Sequence, residues 1–162
     1  VTSPTPSSAE PTPDPDRPEE SDTAALYDAL NVEHAAIYGY GLVSAHSTVD
    51  DNELVSVALA EHRERREAVI TVLAQRSVKA PLSAPGYRLP MTVETAADAA
   101  RLAVRMESDT ADAWRAVIEQ ATSDEDRAFG LKALTQSAVM TARWRAVLGA
   151  WPVTEAFPGG SE

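Results

Sequence analysis

The chain has 162 residues, no cysteine, a formal net charge of −11 and a pI of about 4.7. That length suits one compact domain with tails. The missing thiols exclude disulfides, zinc ribbons and cysteine catalysis. The acidic balance excludes the basic footprint that a nucleic-acid partner requires. The start, Val-Thr-Ser-Pro-Thr-Pro, carries no signal-peptide pattern, and no run of about 18 apolar residues occurs, so the expectation is a cytoplasmic protein with no membrane partner.

Residues 1–22 hold Pro4, Pro6, Pro11, Pro13, Pro15 and Pro18 among Ser, Thr, Asp and Glu. They read as a disordered, solvated tail, because proline blocks backbone pairing and little apolar surface offsets the entropy of ordering. A first helix is expected from Ser21, Asp22 or Thr23 to about Ala45, with Gly39 and Gly41 permitting close helix packing. Asp50-Asp-Asn-Glu53 has the form of a capping box and opens a second helix, running to about Arg76. Residues 77–91 contain Pro81, Pro85, Gly86 and Pro90 and form a long connection. Thr92 is the expected cap of a third helix, which ends near Ala121. Thr122 to Asp126 turns into a fourth, ending near Trp151-Pro152, and the tail from Glu155 is expected to fray. Two tight hairpins joined by one long crossover describe an all-α, antiparallel four-helix bundle over residues 23–151, with a C-terminal tail at 152–162.

One residue in the first helix breaks its pattern. Glu33 lies in the helical stripe of Leu26, Leu30, Ile37 and Tyr40, a stripe that faces a core. A buried, unpaired carboxylate costs several kcal/mol, so Glu33 must be protonated, paired with a cationic side chain, or bound to a metal ion. The two hairpins can be superposed at an offset of 74, which brings Glu33 onto Glu107, itself in a stripe with Ala100, Ala103, Ala111 and Trp114. In the second helices Leu59-Ala-Glu61 falls on Leu134-Thr-Gln136 at an offset of 75.

The segments Glu33-His-Ala-Ala-Ile-Tyr-Gly-Tyr-Gly41 and Ala60-Glu-His-Arg63, together with this repeat, resemble the ferritin-like superfamily, and within it an actinobacterial ferritin-like family of unknown function. The resemblance covers about residues 23–151. It implies a ferritin-like bundle with a long crossover between helices 2 and 3. It also implies two metal ions held by one Glu on each of helices 1 and 3, and by Glu-x-x-His on helices 2 and 4. Matching positions are Glu33, Glu61, Glu107 and Gln136. The pattern is broken three residues after Glu61, where Glu64 replaces histidine, and three after Gln136, where Val139 does; His62 points about 100° away from Glu61.

The candidate metal ligands are therefore Glu33, Glu61, His62, Glu64, Glu107 and Gln136, a hard-oxygen set suited to iron or manganese. The competing reading is an ion-pair core, since Arg63, Arg65 and Arg66 lie at the same level and at least one must point inward. Two functions follow. One is a non-catalytic interaction or structural module without a cofactor, forming a homo-oligomer, as a dimer, through an apolar helix face. The other is a carboxylate-bridged iron or manganese protein that oxidises Fe(II) or reduces peroxide.

Overall fold

The computed structural model describes residues 14–160. Its elements are α1 (Ser21–His46), α2 (Asn52–Gln75), α3 (Ala96–Gln120) and α4 (Asp124–Val147), with one 3-10 turn at Val49–Asp51 and no strand among the described residues. α1 and α2 form one hairpin, α3 and α4 the other, and residues 76–95 cross between them. This is an all-α bundle in the ferritin-like arrangement. The backbones approach most closely between α3 and α4 and between α1 and α3, whereas α2 meets α4 chiefly through long side chains. A Cβ added to Gly39 would lie 2.1 Å from Met106 Sδ, so the glycine admits α3 against α1. Gly41 has open space around it and plays no such part.

The helix starts follow from which side chains are free to cap. Ahead of α2 the capping box expected at residues 50–53 does not form. Residues 49–51 wind into the 3-10 turn instead, and the Thr48 hydroxyl donates to the Asp51 carboxylate at 2.6 Å. α3 begins later than Thr92. Val93 is buried in the core, and Thr95 and Asp98 make the reciprocal capping box, each accepting the other's backbone N–H at 3.1 Å. Ser123 caps α4 by accepting the Asp126 N–H at 3.1 Å.

Two helices end in the same hydrogen-bond pattern. After α2, Ser77 N–H donates to Ala74 O at 3.0 Å and Val78 N–H to Leu73 O at 2.9 Å. After α4, Gly149 N–H donates to Ala146 O and Ala150 N–H to Arg145 O, both at 3.0 Å. Each is a Schellman motif, whose turning residue takes positive φ: 59° at Ser77 and 64° at Gly149. Gly149 thus stops α4 short of Trp151-Pro152.

The proline-rich stretch 1–13 lies outside the described residues. Residues 14–20 lie against α1: Tyr27 donates its hydroxyl proton to Asp14 at 2.8 Å, and Arg17 pairs with Asp28 at 2.7 Å. At the other end, Arg145 pairs with Glu155, and Arg115 Nη1 donates to Gly159 O at 3.1 Å, so the chain to residue 160 folds back on α3 and α4. No helix among the described residues is long and apolar enough to cross a membrane.

The unequal residues at the two Schellman turns give a paired test. Ser77→Gly relieves a left-handed conformation that costs an L residue about 1–2 kcal/mol, offset in part by glycine's greater freedom when unfolded. Urea denaturation is expected to show Ser77→Gly stabilised by roughly 0.5 kcal/mol and Gly149→Ala destabilised by about 1 kcal/mol.

Candidate functional site

Glu33 is fully buried, and the donors around it come from α2 and α3. The buried face of α2 is Val55, Ala58, His62, Arg65, Val69 and Leu73, which turns His62 and Arg65 inward together at i and i+3. Arg65 Nε donates to Glu33 Oε1 at 2.7 Å, and His62 Nδ1 donates to Oε2 at 2.6 Å. Trp114 Nε1 of α3 adds a third bond to Oε1 at 2.7 Å.

Glu107 is almost as deeply buried and has its own set. Its Oε1 accepts from Tyr40 Oη at 2.6 Å and from His62 Nε2 at 3.1 Å. Tyr40 Oη in turn accepts from Trp144 Nε1 of α4 at 2.9 Å. Gln136 joins the far side, where its Oε1 accepts from Arg65 Nη1 at 3.3 Å.

The repeat seen in the sequence reappears as reciprocal geometry. On each of α1 and α3 an aromatic donor follows the glutamate by two helical turns, and it bonds the glutamate of the other helix. Glu33 stands opposite Trp114 and Tyr40 opposite Glu107, so α1 and α3 run antiparallel with one fixed register.

His62 is positioned to be an imidazolium. Burial alone disfavours its charge, but the hydrogen bonds and negative charge of Glu107 and Glu33 outweigh burial and push its pKa up to about 9. Burial likewise raises the Glu33 carboxyl, and His62 and Arg65 outweigh it, holding Glu33 below the ordinary carboxylate range. The Glu33 and Glu107 carboxylates are thus balanced by one imidazolium and one guanidinium. Arg65 Nη2 also lies 2.8 Å from His62 Nδ1. The Nδ1 proton is committed to Glu33, so this is an approach of two donors, tolerable because the Glu33 carboxylate adjoins both.

Of the residues expected as metal ligands, Glu33, His62, Glu107 and Gln136 come together. Glu61 is half-buried beside them, its carboxyl pushed up by burial against the opposing field of Arg65. Glu64 is exposed and pairs with Lys132 at 3.2 Å. Arg66 turns outward to Glu67, leaving Arg65 as the inward arginine. The part played by Trp114 and Trp144 was not foreseen; the signal was there in Trp114, which stands as far after Glu107 as Tyr40 does after Glu33. Tyr40, for its part, bonds Glu107 and not the Glu33 of its own helix.

As arranged, these side chains do not fit a pair of metal ions. Both Glu33 oxygens already accept from proton donors, and a doubly protonated His62 has no lone pair to give. Among the described residues no group of three or more His, Asp or Glu side chains is disposed to hold a metal ion.

Fold and buried centre together define a ferritin-like four-helix protein whose polar residues converge midway along the bundle. The chain belongs to the family described as "Domain of unknown function (DUF4439)", which matches residues 25–162. It is similar to a conserved hypothetical protein, rv2844, from Mycobacterium tuberculosis, an actinobacterium. The crystal structure of that protein shares 62% sequence identity over 85% of this chain and 97% of its own, with a TM-score of 0.79. No curated protein matches the chain.

Two outcomes test the electrostatics of the centre. Arg65→Met leaves Glu33 one cation short and is expected to destabilise the fold by about 3–5 kcal/mol. Adding Glu33→Gln to that variant should recover part of the loss, which a double-mutant cycle in urea reads directly. The second outcome is a pH dependence. The folded pKa of His62, about 9, lies above the ordinary imidazole value of 6.5, so its contribution is complete below pH 6.5 and is lost as pH rises through 9. Unfolding free energies at pH 6, 7.5 and 9 should fall by on the order of 3 kcal/mol in the native chain. In His62→Gln that alkaline decline should be absent.

Proposed function

We propose that this chain is a non-catalytic interaction or structural module built on a ferritin-like bundle, with a degenerate form of the metal site that its resemblance implies. The observation that carries this reading is the donor set on Glu33: Arg65, His62 and Trp114 take the lone pairs that a metal ion requires. The charge that metal ions would neutralise is met by protein cations, so the bundle has no need of an ion to bury its two glutamates.

Exposed apolar side chains on α4 support the interaction role. Leu131, Val139 and Val147 recur at intervals of eight along α4 and are all exposed. Each interval of eight turns the position by about 80° around the helix, so the middle residue, Val139, is the one that adjoins both of the others and centres the proposed face. The partner proposed for this face is a second copy of the chain, giving a dimer.

One preparation tests both parts. Full-length protein produced with iron and manganese in the medium is expected to carry neither at stoichiometric level by elemental analysis, with no change in Glu33→Ala. Light scattering should give a dimer mass that falls to the monomer in Val139→Glu. Stoichiometric Fe or Mn that disappears in Glu33→Ala would overturn the structural reading in favour of a carboxylate-bridged metal protein acting on Fe(II) or peroxide.

A further inference from the structure

A cavity of about 430 Å³ opens between α1, α3 and the crossover, away from the buried centre. It falls within the ~300–1,000 Å³ range of small-molecule sites. Val32 and Ala35 of α1, Leu102 and Met106 of α3, and Leu89 and Pro90 of the crossover make it apolar, and Arg88 stands on its rim. The crossover is held there by aromatic contacts. Tyr87 Oη accepts the Ala84 N–H at 3.0 Å, and its ring lies 5.4 Å from that of Tyr38.

Arg88 is unusual within an acidic chain. Most other Lys and Arg side chains are matched to carboxylates, from Arg17 with Asp28 to Arg145 with Glu155. Among the described residues only Arg63, Arg88 and Arg143 have no carboxylate within salt-bridge distance. The carboxylate that shares the cavity with Arg88 is Asp109, and its charge is taken by Arg105 at 2.9 and 3.0 Å. A second cavity, of about 460 Å³, lies against α3 and α4 and contains Arg143. There the cation acts on the half-buried Glu61, and Glu155, itself paired with Arg145, lines the same cavity, so the charge of Arg143 has a use.

We propose that the Arg88 cavity binds an amphipathic monocarboxylate, with its carboxylate on the Arg88 guanidinium and its apolar body between α1 and α3. A fork of guanidinium donors matches a carboxylate in two parallel hydrogen bonds. The Asn31 side chain at the same cavity supplies a further amide donor. A cationic ligand would meet Arg88, and a second charged group of either sign would have to be buried among the apolar side chains. An apolar anion with one charge uses both parts of the site.

Decanoate is a suitable probe, read in the full chain by the methyl signals of ¹³C-labelled methionine. Met106 lines the cavity, whereas Met140 is enclosed in the core, so occupancy should move the Met106 signal and leave Met140 in place. Arg88→Gln should weaken decanoate roughly tenfold, as expected for loss of a charge-assisted hydrogen bond, and leave the weaker response to decanol unchanged. Ala35→Phe, which fills the cavity without altering charge, should abolish the response to both. The proposal is overturned if decanoate leaves Met106 unmoved, if Arg88→Gln binds it as well as the native chain, if decylammonium binds as tightly, or if Met106 and Met140 move alike.

Discussion

The bundle depends on burying two carboxylates, Glu33 and Glu107, at one level of its core. Such a layer is stable only if nearly every donor and acceptor in it is satisfied, because an unpaired ion there costs more than any one hydrophobic contact returns. All four helices contribute: acceptors from α1 and α3, cations from α2, and Gln136 and Trp144 from α4. The apolar core is divided accordingly. One cluster contains Tyr40, Val43, Val55, Leu102 and Trp144, the other Leu26, Leu30, Val69, Leu73 and Trp114, and the charged layer lies between them. One buried side-chain atom in the described residues, Ser137 Oγ on α4, has no hydrogen-bond partner.

Helix number, pairing and the long crossover were legible in the sequence, because prolines and helical periodicity are local signals. The ends of the helices were less so. Thr92 and Thr95 are equally good caps in isolation, and burial of Val93 decides between them. Likewise Asp51 is a good cap by type, yet Thr48 already holds its carboxylate. At the C-terminal end of α4, the positive φ of Gly149 acts before the proline beyond it.

The site was half legible. A glutamate in an apolar stripe announces a buried charge, and the offset between hairpins supplied its counterpart. What periodicity alone left open was the rotation of α2. Glu61 and His62 differ by about 100° around the helix, and choosing the Glu61 face gives a ligand set resembling a metal centre, while choosing the His62 face gives an ion-pair layer. Leu54, Val57, Leu59, Ile70 and Val72 offer a competing stripe; the structure buries Val55, Ala58, Val69 and Leu73 instead, and His62 and Arg65 continue that face while Glu61 does not.

The crossed bonds of α1 and α3 add a constraint that packing lacks. Alanine-rich helices such as these present similar surfaces at successive turns, so sliding one past the other by a turn exchanges one set of small apolar contacts for another. The polar layer does not tolerate that exchange. A slide of one turn, about 5.4 Å, would separate Trp114 from Glu33 and Tyr40 from Glu107 at once, leaving two buried glutamates short of donors. Register is therefore fixed by charge and hydrogen bonding, and the apolar clusters on either side supply the cohesion that holds the register closed.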